Sequence, residues 1–346
     1  MKNKSILLLI WAIVISAAVY AQSNDESPYS TKTFTGSLSA LRVETSGGSI
    51  AVEGTNSNGV RVDMYVHPNN WNGRNNLSQA EIEERLKEYD IDIRTEGSTV
   101  IATAKRRNRD NNDWKRSLSI GFKVYTPRNM QTNLRTSGGS IRIASLSGEQ
   151  NFTTSGGSIK VRDLDGVVRG RTSGGSIEVD KCSKDVELVT SGGSIKANDL
   201  NGKITLRTSG GSIALNNLDG DIEAKTSGGS IKGDGIKGAL NTGTSGGSIR
   251  LAGVAASLRA STSAGGIEVD FDKLGEYVTL STSAGSVRVQ MPLDKGLDLD
   301  LRGNKVNVPL KNFSGHAGND RVEGRLNGGG IPVKLSASSG SVYINQ

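Results

Sequence analysis

The sequence predicts an all-β chain built as a single-stranded β-solenoid, a β-helix with about 18 residues per coil. Three observations predict it. The hexapeptide Thr-Ser-Gly-Gly-Ser-Ile occurs eight times, opening at Thr45, Thr136, Thr154, Thr172, Thr190, Thr208, Thr226 and Thr244. From Thr136 the spacing is 18 residues without exception, and a fixed period of this length is the mark of a repeat architecture. Within each unit, counted from its Thr, apolar residues recur two apart. Position 6 is Ile141, Ile159, Ile177, Ile195, Ile213, Ile231 and Ile249, and position 8 is mostly apolar, with Gly233 the exception. Position 15 is Val168, Val186, Ile204, Ile222, Leu240 and Leu258 after Gln150 in the first unit. Residues two apart share one face of a strand.

Each unit therefore holds two short strands, around positions 5–9 and 14–18, separated by Gly-containing turns. Gly occupies position 4 and, usually, position 13, where backbone with positive φ is expected. Position 11 (Leu146, Leu164, Cys182, Leu200, Leu218, Ile236, Val254) is a further core row, and position 12 is polar, which favours two sides over three. No unit can bury its apolar face alone, so units stack, about 4.8 Å apart, around a narrow bore. The bore has little room for rings, and residues 136–267 contain a single aromatic, Phe152.

The elements follow in chain order. Residues 1–21 read as a signal peptide: Lys2 and Lys4, an apolar run from Ile6 to Val19, a small-x-small site at Val19-Tyr20-Ala21, then polar chain. Residues 22–135 read as a linker and a β-rich cap with one short helix. Strands are expected at Gly59–Val66, Ile91–Ile93, Thr99–Ala104 and Leu118–Tyr125. Ser78-x-x-Glu81 is a capping box opening a helix to Tyr89, with Ile82, Leu86 and Tyr89 on one face. Residues 136–287 are the regular repeats, closing with variants at Thr262 and Thr282. Residues 288–346 read as irregular coils and a cap, with a last echo of the motif at Ala337–Val342 and a turn at Asn327–Gly330.

Composition excludes several classes. With 45 Gly in 346 residues but no period of three, the chain is not collagen. One Cys and two His argue against a disulfide framework and a histidine metal site. A formal net charge of +7 is mildly basic rather than typical of nucleic-acid binding, and after signal removal no integral membrane span is expected. No cofactor is expected.

Carbohydrate-active β-helix enzymes need clustered carboxylates on one face. Here Asp163, Asp199, Asp165 and Asp219 are scattered beside Gly and read as turn residues, so the chain is expected not to be an enzyme. Two features point to binding. Position 7 faces outward and is largely basic: Arg142, Lys160, Lys196, Lys232, Arg250 and Arg288, broken by Glu178, Ala214 and Glu268, with Arg171, Arg207 and Lys225 outward at position 18. Such a stripe suits an acidic glycan or anionic head groups, and its bland alternative is a solvated strand face. A denser cluster, Lys105, Arg106, Arg107, Arg109, Lys115 and Arg116, reads as an exposed loop. The stacked Thr-Ser-Gly-Gly-Ser corner would present a ladder of hydroxyls, the arrangement with which flat solenoids bind ice, although two glycines make it a turn. Cys182 reads as a buried hydrophobe.

The repeats, the strand Phe122-Lys-Val-Tyr-Thr-Pro127 and the closing Ser339-Gly-Ser-Val-Tyr-Ile344 resemble a bacterial domain family of unknown function labelled "putative adhesin", close to the autotransporter-adhesin head domain family. The resemblance covers roughly residues 30–346. It implies a β-solenoid of the cell envelope, in the periplasm, at the surface or secreted, and brings no catalytic residues. The expected function is an exported, non-catalytic envelope protein with an adhesin-like binding or scaffolding role, its partner an acidic glycan or an envelope protein. The alternatives are a periplasmic sensor or scaffold binding a partner protein, and a carbohydrate-active β-helix enzyme.

Overall fold

In the computed structural model, which describes residues 27–69, 77–107 and 117–346, each repeat forms one coil of hydrogen-bonded parallel ladder. The expected signal peptide at 1–21 lies outside the described residues, as do Arg109, Lys115 and Arg116 of the basic cluster. β13 (Ile177–Thr190) and β14 (Ile195–Thr208) pair in register across the whole unit, from Ile177↔Ile195 to Thr190↔Thr208. The two expected strands are its two long faces: face A at positions 6–9 and face B at positions 14–19, position 19 being the next unit's Thr. Between them the ladder does not stop. It bends at position 10, where Ser145, Asp163, Lys181, Asp199, Asn217, Gly235 and Gly253 all take φ between 52° and 67°. It bends again at position 13, where Gly148, Gly166, Gly202, Gly220, Gly238 and Lys184 also have positive φ. A short third segment thus separates the faces, with position 11 turned into the core and polar position 12 outward.

The inward rows form one hydrophobic core along the coils. Its exceptions are matched by neighbours. Phe152, the ring in the bore, is register partner of Gly170, so the ring extends where a side chain is missing. At Gly233 the space is taken by Leu251, whose Cδ2 lies 2.8 Å from the position of an added Cβ. Gln150, buried at position 15, accepts from Thr132 Oγ1 at 2.7 Å and donates to the Met130 carbonyl at 2.8 Å, so its amide is satisfied.

Sequence order is not stacking order at the ends. β2 (Ala40–Thr45) and β3 (Ile50–Thr55), which flank the first Thr-Ser-Gly-Gly-Ser turn, pair with β8 (Gln131–Thr136) and β9 (Ile141–Ser147) on one side. On the other side they pair with β6 (Thr99–Arg106) and β7 (Leu118–Pro127). The first copy is therefore an interior layer. The intervening chain builds the cap: β4 (Gly59–Pro68) runs antiparallel on β7, β1 (Ser30–Thr35) on β4, and β5 (Tyr89–Glu96) on β6. The other end repeats this logic. β24 (Ile331–Ala337) and β25 (Val342–Asn345) lie on β18 (Ile267–Thr282) and β19 (Val287–Gln290). They are covered by β20 (Leu297–Arg302) and β21 (Val306–Asn307). An antiparallel pair, β23 (Arg321–Leu326) and β22 (Phe313–Ala317), closes face B.

The helix α1 (Gln79–Leu86) opens with the expected capping box, Ser78 Oγ accepting from the Glu81 N–H and the Glu81 carboxylate accepting from Ser78 N–H. It stops at Leu86, short of the expected Tyr89, which is the buried first residue of β5. There the Tyr89 hydroxyl accepts from the Leu118 N–H at 2.7 Å, a strand-to-strand tie that a helical Tyr89 would not make.

Candidate binding face

The Thr-Ser-Gly-Gly-Ser corner is an internal fastening rather than an outward hydroxyl ladder. Each Thr is buried, continuing the inward alternation of positions 15 and 17. Thr190 Oγ1 donates to the Gly175 carbonyl of the preceding layer at 2.8 Å and accepts from Gly193 N–H in its own turn at 3.3 Å. The same pair of bonds recurs at Thr154, Thr172, Thr208, Thr226 and Thr244. The expected surface row of threonine hydroxyls is thereby corrected: alternation along the strand carries them inside. At position 5 the serines do face outward. The Ser194 N–H donates to Ser176 Oγ and the Ser212 N–H to Ser194 Oγ, each at 3.2 Å. These bonds use each serine oxygen as acceptor and leave its own proton available to solvent.

Position 7 lies on face A, and the parallel register stacks its residues in single file. All six basic residues line two shallow grooves on that face. Arg142, Lys160 and Lys196 line one of about 370 Å³, together with the position-5 serines Ser140, Ser158, Ser176 and Ser194. Lys232, Arg250 and Arg288 line the other, of about 520 Å³. The six are not equivalent. Lys160 pairs with Glu178 at 3.0 Å, Arg250 with Glu268 at 3.4 Å, and Arg288 stands over the Tyr343 ring, 5.4 Å from its centroid. Arg142, Lys196 and Lys232 are exposed and, among the described residues, have no ion-pair partner. Beside this row runs position 9, with Arg162 but also Asp180, Asp234 and Asp270, so the basic row is narrow.

Face B handles charge differently. Its position-18 cations pair diagonally with position 16: Arg171 with Glu187 at 3.0 Å and Arg207 with Glu223 at 2.9 Å, while Lys225 meets Glu223 at 2.9 Å. Glu223 is held below the usual carboxylate range, first by its hydrogen bond to Lys225, against partial burial, and then by Arg207. Of the remaining members of the dense cluster, Lys105 pairs with Glu44 at 3.0 Å and Arg106 with Glu88 at 2.8 Å, while Arg107 is exposed.

The candidate carboxylates sit at corners. Asp163 and Asp199 have φ of 54° and 52° at position 10, the left-handed region that Asp and Asn tolerate. Asp163 accepts from Ser145 Oγ at 2.9 Å, and Asp165 from Ser183 Oγ at 2.8 Å. Among the described residues no group of three or more His, Cys, Asp or Glu is placed to hold a metal ion. Cys182 is buried in the row of core leucines, and burial pushes its thiol up to about 12.

The sequence did not point to a cavity of about 810 Å³ at the capped end of face A. Thr33, Thr35, Thr55, Ser57, Arg61 and Tyr125 line it. Arg61 stacks 4.2 Å from the Tyr125 ring centroid and pairs with Asp63 at 3.2 Å. The sequence signal was Tyr125 itself, an aromatic at one of the half-buried positions that alternate with the core residues of β7.

A search of curated proteins finds no match. Among solved structures, one described as a "putative cell adhesion protein from Clostridium sporogenes ATCC 15579" matches at 10% identity, covering 92% of this chain and 99% of that one. Its TM-score is 0.23, too low to support an argument about fold or function. The family model described as Toastrack DUF4097 matches residues 19–345, nearly the whole chain, in agreement with the resemblance carried by the repeats. The chain belongs to the Toastrack DUF4097 family, and its stacked coils are that family's β-solenoid.

Proposed function

We propose that the chain is an exported cell-envelope rod with an adhesin-like binding or scaffolding role and no catalysis, and that face A is its contact surface. The observation that carries this is the convergence of all six position-7 cations on two aligned grooves of one face. Face B, by contrast, spends its charges on itself through the Arg171–Glu187 and Arg207–Glu223 pairs. A coil that repeats its surface every 18 residues offers the same contact many times, which suits an extended partner such as an acidic glycan or an envelope protein. Carboxylates used in corners and ion pairs favour binding over acid–base chemistry. Export rests on the charged, apolar and small-residue layout of residues 1–21.

The test has two parts. Protease treatment of intact cells, with a periplasmic protein as control, places the chain outside or inside the outer layer. Retention on isolated envelopes is then compared for the parent and for the Arg142→Ala/Lys196→Ala/Lys232→Ala variant. Loss of retention supports the reading. Unchanged retention removes face A as the contact surface.

A further inference from the structure

We infer that the ligand of face A is a linear acidic polysaccharide lying lengthwise along the solenoid, and that Glu178 and Glu268 are rungs that temper its binding. This deepens the envelope-binding reading and rests on it. The first argument is the shape of the charge. At about 4.8 Å per layer, Arg142, Lys196 and Lys232 stand roughly 14 and 10 Å apart in a straight row. A ligand meeting all three must be long and run along the axis. The row is one residue wide. An anionic bilayer laid on the face would also press against Asp180, Asp234 and Asp270 in the neighbouring row, a like-charge cost that a single chain tracking position 7 avoids.

The second argument is what flanks the cations. The first groove sets Ser140, Ser158, Ser176 and Ser194 beside Arg142, Lys160 and Lys196. The oxygens of Ser176 and Ser194 are already occupied as acceptors, leaving protons to donate. A row of hydroxyl donors beside a row of cations matches a polymer rich in both hydroxyls and carboxylates. Single-stranded nucleic acid is less well served, since base stacking needs a run of aromatic platforms and the ring beside the second groove, Tyr343, is stacked under Arg288.

The third argument concerns the two glutamates. Glu178 and Glu268 occupy position 7 themselves, so each sits in the path of the ligand while neutralising the cation one layer before it. Replacing each by Gln removes a like charge from the path and frees Lys160 and Arg250.

The experiment measures binding of the purified chain to polygalacturonate, with a neutral galactan, phosphatidylglycerol vesicles and single-stranded DNA as the other arms. The expected result is binding of polygalacturonate that weakens with added salt, and little binding of the other three. The Glu178→Gln/Glu268→Gln variant should bind roughly tenfold more tightly, and the Arg142→Ala/Lys196→Ala/Lys232→Ala variant roughly tenfold more weakly, since exposed pairs contribute modestly and add along a row. An Arg171→Ala/Arg207→Ala/Lys225→Ala variant on face B should bind like the parent. Circular dichroism of each variant checks that the fold is kept. Tighter binding to vesicles or DNA than to polygalacturonate, or no gain from the Gln pair, overturns the inference. If polygalacturonate is not bound while the triple face-A variant still loses envelope retention, the polysaccharide assignment falls and the envelope-contact reading stands. If retention is also unchanged, both fall.

Discussion

The ring of Phe152 occupies the space that a side chain on its register partner Gly170 would need. A Cβ on Gly170 would stand 2.7 Å from Leu188 Cδ2 in the next layer and closer still to the Phe152 ring. Gly170→Ala should therefore destabilise the chain by about 1–3 kcal/mol through overpacking. Phe152→Leu in the same background should recover much of that loss, although alone it leaves a void. A double-mutant cycle by urea denaturation measures the coupling, and additivity of the two changes would show that the pair does not share one space.

The two glycines of each corner are not alike. At Gly174 an added Cβ meets nothing nearer than 3.6 Å, whereas at Gly175 it would run into the carbonyl of Gly157 in the layer before. The sequence already carries Ala264, Ala284 and Ser339 at the first of these positions, while Gly fills the second in every copy. Gly174→Ala is expected to shift the urea midpoint little. Gly175→Ala is expected to forfeit the Thr172 bond to the Gly157 carbonyl as the layers part, and with it about 2 kcal/mol or more. Equal effects would refute this account of the corner.

Cys182 makes stability depend on alkaline pH. Burial raises its thiol from an ordinary 9.0 up to about 12 in the folded chain. The protonated form is favoured on folding, so the contribution is complete below pH 9 and is lost as pH rises toward 12. At full extent it is on the order of 4 kcal/mol. Cys182→Val, a residue type that position 11 already holds at Val254, should remove this dependence, so that the parent loses stability relative to the variant as pH rises through that window. Alkylation by iodoacetamide at pH 8 should be slow until denaturant is added, and rapid modification of the folded chain would contradict the burial.

Lys32 guards the capped end. On β1, residues Ser30, Lys32 and Phe34 register with Met64, Val62 and Val60 of the core, and Lys32 Nζ reaches across to the Ile93 carbonyl on β5 at 2.9 Å. An inward charge on an edge strand opposes strand addition by another molecule. Lys32→Val should make the sedimentation coefficient rise more steeply with concentration than in the parent chain. Identical concentration dependence would mean that the end is protected by something else.

Much of this architecture was legible because stacking forces equivalent residues onto equivalent environments. Ile195 and Ile213 are both buried because they are register partners, and the 18-residue period states that partnership outright. The row from Arg142 to Arg288 was legible for the same reason. What was not legible depended on which side chains pair within a row and on contacts between unlike positions. Whether Lys160 is available or held depends on the acid one layer later, Glu178, and whether the threonines face in or out depends on the alternation running unbroken through the unit end. Tyr89 carries the apolar spacing of a helix, yet the tie to Leu118 draws it into a strand. Tyr125 and Arg61 meet only because β4 folds back on β7, a pairing with no period to announce it.

The interior placement of β24 and β25 bears on how the protein is made. A chain delivered from its amino end can zip up the regular coils one after another, each finding its template already formed. The closing hairpin of β22 and β23 emerges before the segment it must rest on, because β20 packs on β24 and β24 follows all three in the chain. Completion of that end therefore waits for β24 and β25 to arrive, so that a chain cut short before them would lack the keystone rather than the trim.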